Sequence, residues 1–318
     1  MRGVEREDRA LRRAEGLALR AHSERFSRVG WALFAYVVSS LLAQVAAVAA
    51  AMLLRPGLLN EPWFLWGAST ISSYAVSFVL FVLIIRRAPR AEPLPRRPAG
   101  PLKLGQYYLV SMAALYVGNV ISLLLNALIG LIKGAPVENP VDTLLDFPVA
   151  LNLILVCVLA PLFEELMFRR LLLDRLRPYG ERFALIASAL MFALIHGNFS
   201  QMFYAFGIGL VLGWLVLKTG CLWQSILIHA GINFISAGLL PLLEPLGEAG
   251  DWVLAAFALG GTALGIVFFL AYRRDVHPAR GECALAEGRK WRLLFENPGM
   301  ALFCLVVIYE VVVVIAAA

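Results

Sequence analysis

Two adjacent carboxylates, Glu164 and Glu165, lie in the middle of an apolar run that extends over residues 149–173. A charged side chain within hydrocarbon costs free energy, so such residues face a protein interior or a water-filled cavity and mark functional sites. Two of them side by side predict a site to which the rest of the chain brings further polar groups.

Three further polar residues, His196, His229 and Asn233, lie within or at the edge of apolar runs. A single histidine there is most often a satisfied core residue, but two of them together with two glutamates favour a site. His229 and Asn233 are four residues apart on one helical face, so both side chains can point into one cavity. Glu165 and Arg169 have the same spacing, in the order preferred for an ion pair.

The positions of these residues along the helices also favour one site. Glu164 lies 16 residues before Gly180, which ends a Pro-Tyr-Gly turn, and His196 lies 16 residues after it. If the turn is the tip of a helical hairpin, both residues are about 24 Å from it. His229 lies 9 residues after the next turn, at Gly220, or about 14 Å from it. The levels therefore agree only if the first hairpin projects further into the cytoplasm.

Two kinds of hydrolytic chemistry suit this set of side chains. In the first, a glutamate is the general base for a water molecule that a histidine positions, and a second histidine and an amide donate hydrogen bonds to an oxyanion. In the second, glutamate and histidine side chains hold a zinc-type ion with one position open for water. The chain contains no HExxH sequence, and the spacing does not decide between the two.

The elements that must position these residues are membrane-spanning helices. Of the 318 residues 60% are apolar and 16% are charged, which predicts an all-α polytopic membrane protein. We expect a transmembrane helical bundle of about eight or nine spans. The fifth apolar run is the least certain, since it is shorter than the roughly 20 residues that a membrane-spanning helix needs. The nine runs cover residues 29–54, 63–85, 106–132, 148–173, 183–195, 201–217, 222–240, 252–272 and 301–316.

Charge predicts the orientation. The net charge of +6 is concentrated in arginine-rich loops, which indicates cytoplasmic loops rather than binding to nucleic acid. We therefore expect a multi-pass protein with a cytoplasmic N-terminus. The alanine- and arginine-rich composition hints at a GC-rich genome, and we expect the plasma membrane of a bacterium. The four cysteines have no CxxC spacing, so neither a disulfide framework nor a zinc ribbon is predicted.

Four parts are expected: a cytoplasmic tail (1–28), an accessory pair of spans with a basic loop (29–104), a catalytic core (105–245) and C-terminal spans (246–318).

Three short motifs on successive apolar helices resemble those of a known family. Glu164-Glu165-xxx-Arg169, Phe192-xxx-His196 and His229-xxx-Asn233 are similar to the motifs of the CPBP intramembrane proteases. That family includes the type II CAAX prenyl endopeptidases and bacterial bacteriocin-processing and immunity proteins. The resemblance covers residues 151–237, and the three motifs in this order are specific although each alone is weak.

The resemblance implies roles for individual residues. Glu164 and His196 would activate the attacking water, His229 and Asn233 would form the oxyanion hole, and Glu165 and Arg169 would support the site. A divalent metal such as Zn²⁺, held by Glu164, His196 and His229, is one version of this chemistry, and a metal-free glutamate mechanism is the other.

The resemblance also implies an architecture and a class of partner. It predicts a helical bundle with a cavity open to the cytoplasm. The partners would be membrane lipids and a membrane-anchored or lipidated protein or peptide, which an intramembrane endopeptidase would cut near the membrane.

Two other readings of the same residues are a non-catalytic membrane scaffold or immunity-type protein and a proton- or metal-coupled transporter. Carboxylate–histidine sets also form relays in transporters. Against the transporter, the sequence shows no inverted repeat and no paired broken helices.

Overall fold

A computed structural model describes residues 2–142, 148–283 and 285–317. The described residues form helices joined by short loops, with no β-strand among them. We number the ten main helical segments, some of which contain π-helical or 3₁₀ turns, in chain order. They are α1 (Arg2–Leu54), α2 (Trp63–Ile85), α3 (Pro101–Lys133), α4 (Val149–Tyr179), α5 (Glu181–Leu194), α6 (Phe199–Thr219), α7 (Leu222–Leu246), α8 (Glu248–Tyr272), α9 (Glu287–Phe295) and α10 (Pro298–Ala316).

Eight of the described helices are long and apolar enough to cross a membrane, namely α1 to α4, α6 to α8 and α10. The prediction of an all-α polytopic bundle with about eight or nine spans is therefore confirmed. The uncertain fifth run forms α5, which has 14 residues and is about 21 Å long. This helix is too short to cross a bilayer by itself, and the loop that follows it carries His196.

Helix α5 lies in the centre of the bundle. Its residues Phe183, Ala184, Ala187, Phe192 and Ala193 are at most 2% exposed and belong to the main hydrophobic core. The alanines let neighbouring helices approach closely. The packing of α5 fixes Phe192 and, one helical turn later, His196.

The helix ends divide into two sets, one at each end of the bundle. We call one the arginine-rich end; it contains the loop of residues 86–100, the turn at Gly180, the turn at Gly220 and residues 273–283. The other set, which we call the opposite end, contains residues 55–61, 134–142 and 244–247.

The basic loop is hydrogen-bonded across the arginine-rich end. The backbone N–H of Ala91 donates to the carbonyl of Asp174 at 2.9 Å, and that of Arg97 donates to the carbonyl of Thr219 at 2.7 Å. The buried Gln224 amide accepts from the N–H of Ala99 at 3.0 Å and donates to its carbonyl at 2.7 Å. These bonds fix the loop over the ends of α4, α6 and α7.

The first and last helices pack directly on each other. A Cβ atom on Gly30 would lie 2.3 Å from the backbone nitrogen of Met300, and one on Gly299 would lie 2.4 Å from that of Trp31. Such close backbone contact requires glycine at both positions. Through this contact α10 lies beside the core, where it brings Glu310 to the loop after α5.

Candidate functional site

The two adjacent glutamates face different surroundings. The Glu164 side chain is 21% exposed and lines a cavity, whereas the Glu165 side chain is fully buried. Successive side chains on a helix point about 100° apart, so one can face a cavity while the other faces protein. The neighbouring carboxylates are therefore not equivalent.

Glu165 has three partners inside the protein. Its Oε2 lies 3.2 Å from Nε of Arg169 and accepts a hydrogen bond from the Ser225 hydroxyl. Its Oε1 lies 3.0 Å from Nδ1 of His229. The ion pair expected from the spacing is present, and these contacts compensate for the burial of the charge.

The Arg169 guanidinium is held mainly by charge and by an aromatic ring. Its side chain is fully buried, and its carbon Cζ lies 4.4 Å from the centre of the Phe192 ring. Despite the 3.2 Å approach to Glu165, none of its nitrogens has a well-angled hydrogen bond to a described residue. The guanidinium therefore depends on the Glu165 charge, together with a cation–π contact to Phe192.

His229 lies between the two glutamates. A carboxylate paired with arginine can only accept, so Nδ1–H of His229 must donate to Glu165. The other ring nitrogen, Nε2, lies 3.7 Å from Oε2 of Glu164, which is too far for a direct hydrogen bond. His229 can therefore donate from Nε2 toward the cavity only when its ring is protonated on both nitrogens.

His196 lines the same cavity as Glu164. Its Nδ1 lies 2.8 Å from the carbonyl oxygen of Phe192. Because a carbonyl can only accept, Nδ1 carries the proton, and Nε2 of the neutral ring is an acceptor. Asn198, which caps α6 through the N–H of Gln201, also donates to the His196 carbonyl at 2.6 Å. The cap and the histidine therefore form one rigid turn.

Asn233 reaches the cavity from α7, one helical turn after His229. One proton of its amide is used, because Nδ2 donates to the Val156 carbonyl at 2.8 Å. That carbonyl belongs to a π-helical turn, Leu155–Leu159, just before Pro161. Such turns release carbonyls from the regular helical pattern and recur at functional sites. The second amide proton of Asn233 has no partner among the described residues and can serve the cavity.

These side chains share a cavity of about 500 Å³. The structure brings Glu164, His196, His229 and Asn233 together around it, whereas Glu165 and Arg169 do not line it. The roles of these residues stay predictions. The other polar or aromatic residues in its wall are Trp66, Tyr116, Asn119, Asn139, Phe192, Ser200, Gln201, Tyr204 and Ser236.

Ser225 and Asn198 are two residues of the site that the sequence motifs did not predict. Ser225 lies four residues before His229, so the positions 225, 229 and 233 form one stripe on α7. The spacing of four residues could have predicted that Ser225 shares the helix face of His229 and Asn233. Asn198 directly follows the His-Gly pair and precedes α6, which is the position of a helix N-cap.

The described part of the chain contains no group of three or more His, Cys, Asp or Glu side chains that is placed to hold a metal ion. Zn²⁺ held by Glu164, His196 and His229, which line one cavity, therefore stays a prediction. The orientation of His229 does not decide against it, because a histidine that binds a metal commonly donates its other N–H to a carboxylate, as Nδ1 of His229 does to Glu165.

Comparison with known proteins agrees with the motifs. Residues 146–235 match the family model described as type II CAAX prenyl endopeptidase Rce1-like. The chain is also 25% identical, over 104 residues, to the UPF0177 protein YxdF of Lactococcus lactis subsp. lactis (strain IL1403). That alignment covers 32% of this chain and 58% of the relative, so this chain spans less than two thirds of the relative's length. No solved structure matches the chain. The predicted resemblance is confirmed for this segment.

Proposed function

We propose that this protein is a membrane-embedded endopeptidase of the CAAX-protease type that hydrolyses a peptide bond with a water molecule activated by Glu164 and His196. The observation that carries the proposal is the division between the two glutamates. Only Glu164 of the pair faces the cavity, and it does so beside His196, His229 and Asn233.

The first step is the activation of water. Glu164 accepts a proton from a water molecule in the cavity, while the unprotonated Nε2 of His196 accepts the second hydrogen bond of that water and orients it. The hydroxide oxygen then bonds to the carbonyl carbon of the substrate, and the π electron pair of the C=O bond moves to its oxygen.

The second step is the stabilisation of that oxyanion and its collapse. The free amide proton of Asn233 donates to the oxyanion, and His229 donates from Nε2 in its doubly protonated form. Glu164 then gives its proton to the amide nitrogen of the substrate as the C–N bond breaks. The products are a carboxylic acid and an amine, and Glu164 is again ready to act as base.

Glu165 and Arg169 support this arrangement without touching the substrate. The Glu165 carboxylate fixes the His229 ring through Nδ1, and Ser225 and Arg169 fix the carboxylate. Since none of these three groups lines the cavity, we assign them to positioning.

The depth of the site indicates the class of substrate. Glu164 lies near the midpoint of α4, about 22 Å from either end of that helix. A peptide bond must therefore enter the membrane region to be cut, which favours a membrane-anchored or lipidated protein or peptide. We further propose that the protein resides in a bacterial plasma membrane with a cytoplasmic N-terminus.

A second cavity supports contact with membrane lipids. It has a volume of about 430 Å³, lies between α3, α6 and α8 and has a largely apolar wall. Lys103, Lys218 and Arg273 line it at the arginine-rich end. Basic residues above an apolar cleft suit an anionic lipid headgroup and its chains.

Proteolysis by the purified protein in lipid vesicles tests the proposal. A library of membrane-anchored peptides with a quenched fluorophore serves as substrate, and the variants are Glu164→Gln and His196→Ala. The cleavage rate of both variants should fall at least 100-fold. Glu138→Gln changes an exposed glutamate outside the cavity and should cleave at the wild-type rate. If the wild type cuts and both site variants cut equally well, the proposal is wrong. If a cellular phenotype survives both substitutions, a non-catalytic role is favoured instead.

A further inference from the structure

The cavity does not extend equally toward both ends of the bundle. From Glu164, its wall continues along α4 through Ala160 to Val156, which is toward the start of that helix. On α7 it continues from His229 to Leu240, toward the end of that helix. Both directions lead to the opposite end, away from the arginine-rich loops.

Loops and helix ends at the opposite end complete the wall. Asn139 and Val141 belong to the segment after α3, Trp66 lies in the first turn of α2, and Leu254 lies near the start of α8. Asn139 is half-buried and Ser236 is exposed, so the protein leaves polar groups of the cavity wall uncovered on this side.

The arginine-rich end is closed below the glutamates. Between Glu165 and the turn at Gly180, one face of α4 is sealed by protein, and Phe168, Leu172, Leu176 and Tyr179 are fully buried. A Cβ atom on Gly281 would lie 2.4 Å from the backbone nitrogen of Gly180, so residues 279–281 cover the turn. The hydrogen-bonded basic loop, residues 86–100, covers the neighbouring helix ends.

Charge identifies the sides. In the described loops and helix ends at the opposite end, basic residues are limited to Arg55 and Lys133. The loop of residues 86–100 alone carries five arginines and one glutamate. An excess of lysine and arginine marks cytoplasmic loops, so the opposite end faces away from the cytoplasm.

We infer that the active-site cavity opens on the non-cytoplasmic side of the membrane and takes peptide segments presented from that side. The expectation of a cytoplasm-facing cavity came from the family resemblance alone. It conflicts with the cytoplasmic placement of the basic loops, because the structure puts the cavity and those loops at opposite ends. That such a peptide segment is a substrate rests on the proposed function. The orientation of the cavity does not depend on proteolysis.

This orientation defines the substrate class more narrowly. The scissile bond belongs to a secreted or membrane-anchored protein whose cleaved segment lies outside the cytoplasm. A soluble cytoplasmic protein with a lipid on its C-terminus would approach the closed end and would not be cut.

Cysteine labelling in the full-length protein tests the orientation. Ser236→Cys and Asn139→Cys place a thiol in the cavity wall, and Arg90→Cys places one in the basic loop. All three are made in a background with Cys283→Ala and Cys304→Ala, because these are the half-exposed native cysteines. A membrane-impermeant maleimide is added to spheroplasts that express each variant, before and after permeabilisation.

We expect labelling of Ser236→Cys and Asn139→Cys in intact spheroplasts, and labelling of Arg90→Cys only after permeabilisation. If the two cavity variants are labelled only after permeabilisation, or not even then, the inference is overturned. The same holds if Arg90→Cys is labelled in intact spheroplasts. Because labelling needs no activity, an inactive protein with the expected pattern would disprove the proposed function and leave the orientation standing.

Discussion

His229 donates from Nδ1 to Oε1 of Glu165 over 3.0 Å, and its other ring nitrogen faces the neighbouring carboxylate, Glu164, at 3.7 Å. One imidazole therefore connects the buried glutamate with the glutamate in the cavity. The buried member fixes the ring, so changes at Glu165 act on the site through His229 even though Glu165 does not reach the cavity.

The two glutamates should respond differently to the same substitution. Glu165→Gln removes the partner charge of the buried Arg169 and should destabilise the protein by about 3–5 kcal/mol. Glu164→Gln removes a partly exposed charge that forms no ion pair with an arginine among the described residues, and it should change stability little while it abolishes proteolysis. Thermal unfolding in detergent, followed by the fluorescence of the seven tryptophans, measures the difference. Equal loss of stability in both variants would contradict the assignment.

Ser225→Ala should reduce the rate of cleavage more strongly than a substitution elsewhere in the core that lowers the unfolding temperature by the same amount. The substitution removes a hydrogen bond to a charged acceptor, which typically costs about 1.5–3 kcal/mol, and it frees the carboxylate that holds His229. Ser188→Ala is a matched control, because Ser188 is also buried and donates to the Phe168 carbonyl at 2.9 Å. Rates and unfolding temperatures of both variants in the same vesicles separate the two effects. Similar rates for both would show that the Ser225 contact does not position His229.

The sequence was sufficient for the local relationships of the site. Helical spacing of four predicted the pair of Glu165 with Arg169 and the shared face of His229 and Asn233, because those contacts depend only on helix geometry. The hairpin count placed Glu164 and His196 at one level, and the structure has both in one cavity wall.

Contacts between helices that are distant along the chain could not be predicted from the sequence. Glu165 and His229 are 64 residues apart, and their contact depends on how α4 packs against α7. The direction of the cavity depends on which helix ends are covered, and hydropathy alone carries no such information. The family resemblance supplied a direction instead, and the opposite direction inferred above is a proposal that rests on the positive-inside rule.

Metal content should not determine activity. A three-ligand site needs Glu164, His196 and His229 to converge, and the described residues form no such group. We expect elemental analysis of purified protein to find well under one zinc per chain, with the same content in Glu164→Gln. Peptide cleavage should survive a membrane-permeant chelator, and restoration of lost activity by added Zn²⁺ would contradict this prediction.

Gly197→Ala should inactivate the site by moving the His196 turn. Gly197 has a φ of +62°, which disfavours a residue with a side chain. A Cβ atom there would also lie 2.5 Å from Oε2 of Glu310 on α10, so either the turn or the last helix must shift.

Gly134→Ala is the matched control, since Gly134 has a φ of +80° and an open space around its Cβ position. Backbone strain of about 1–2 kcal/mol is common to both variants, but we expect loss of cleavage only for Gly197→Ala. Glu310→Ala in addition should restore part of the rate, because it removes the carboxylate that the new methyl group would meet. A Gly197→Ala protein that cleaves at the rate of Gly134→Ala would show that the last helix does not hold the His196 turn.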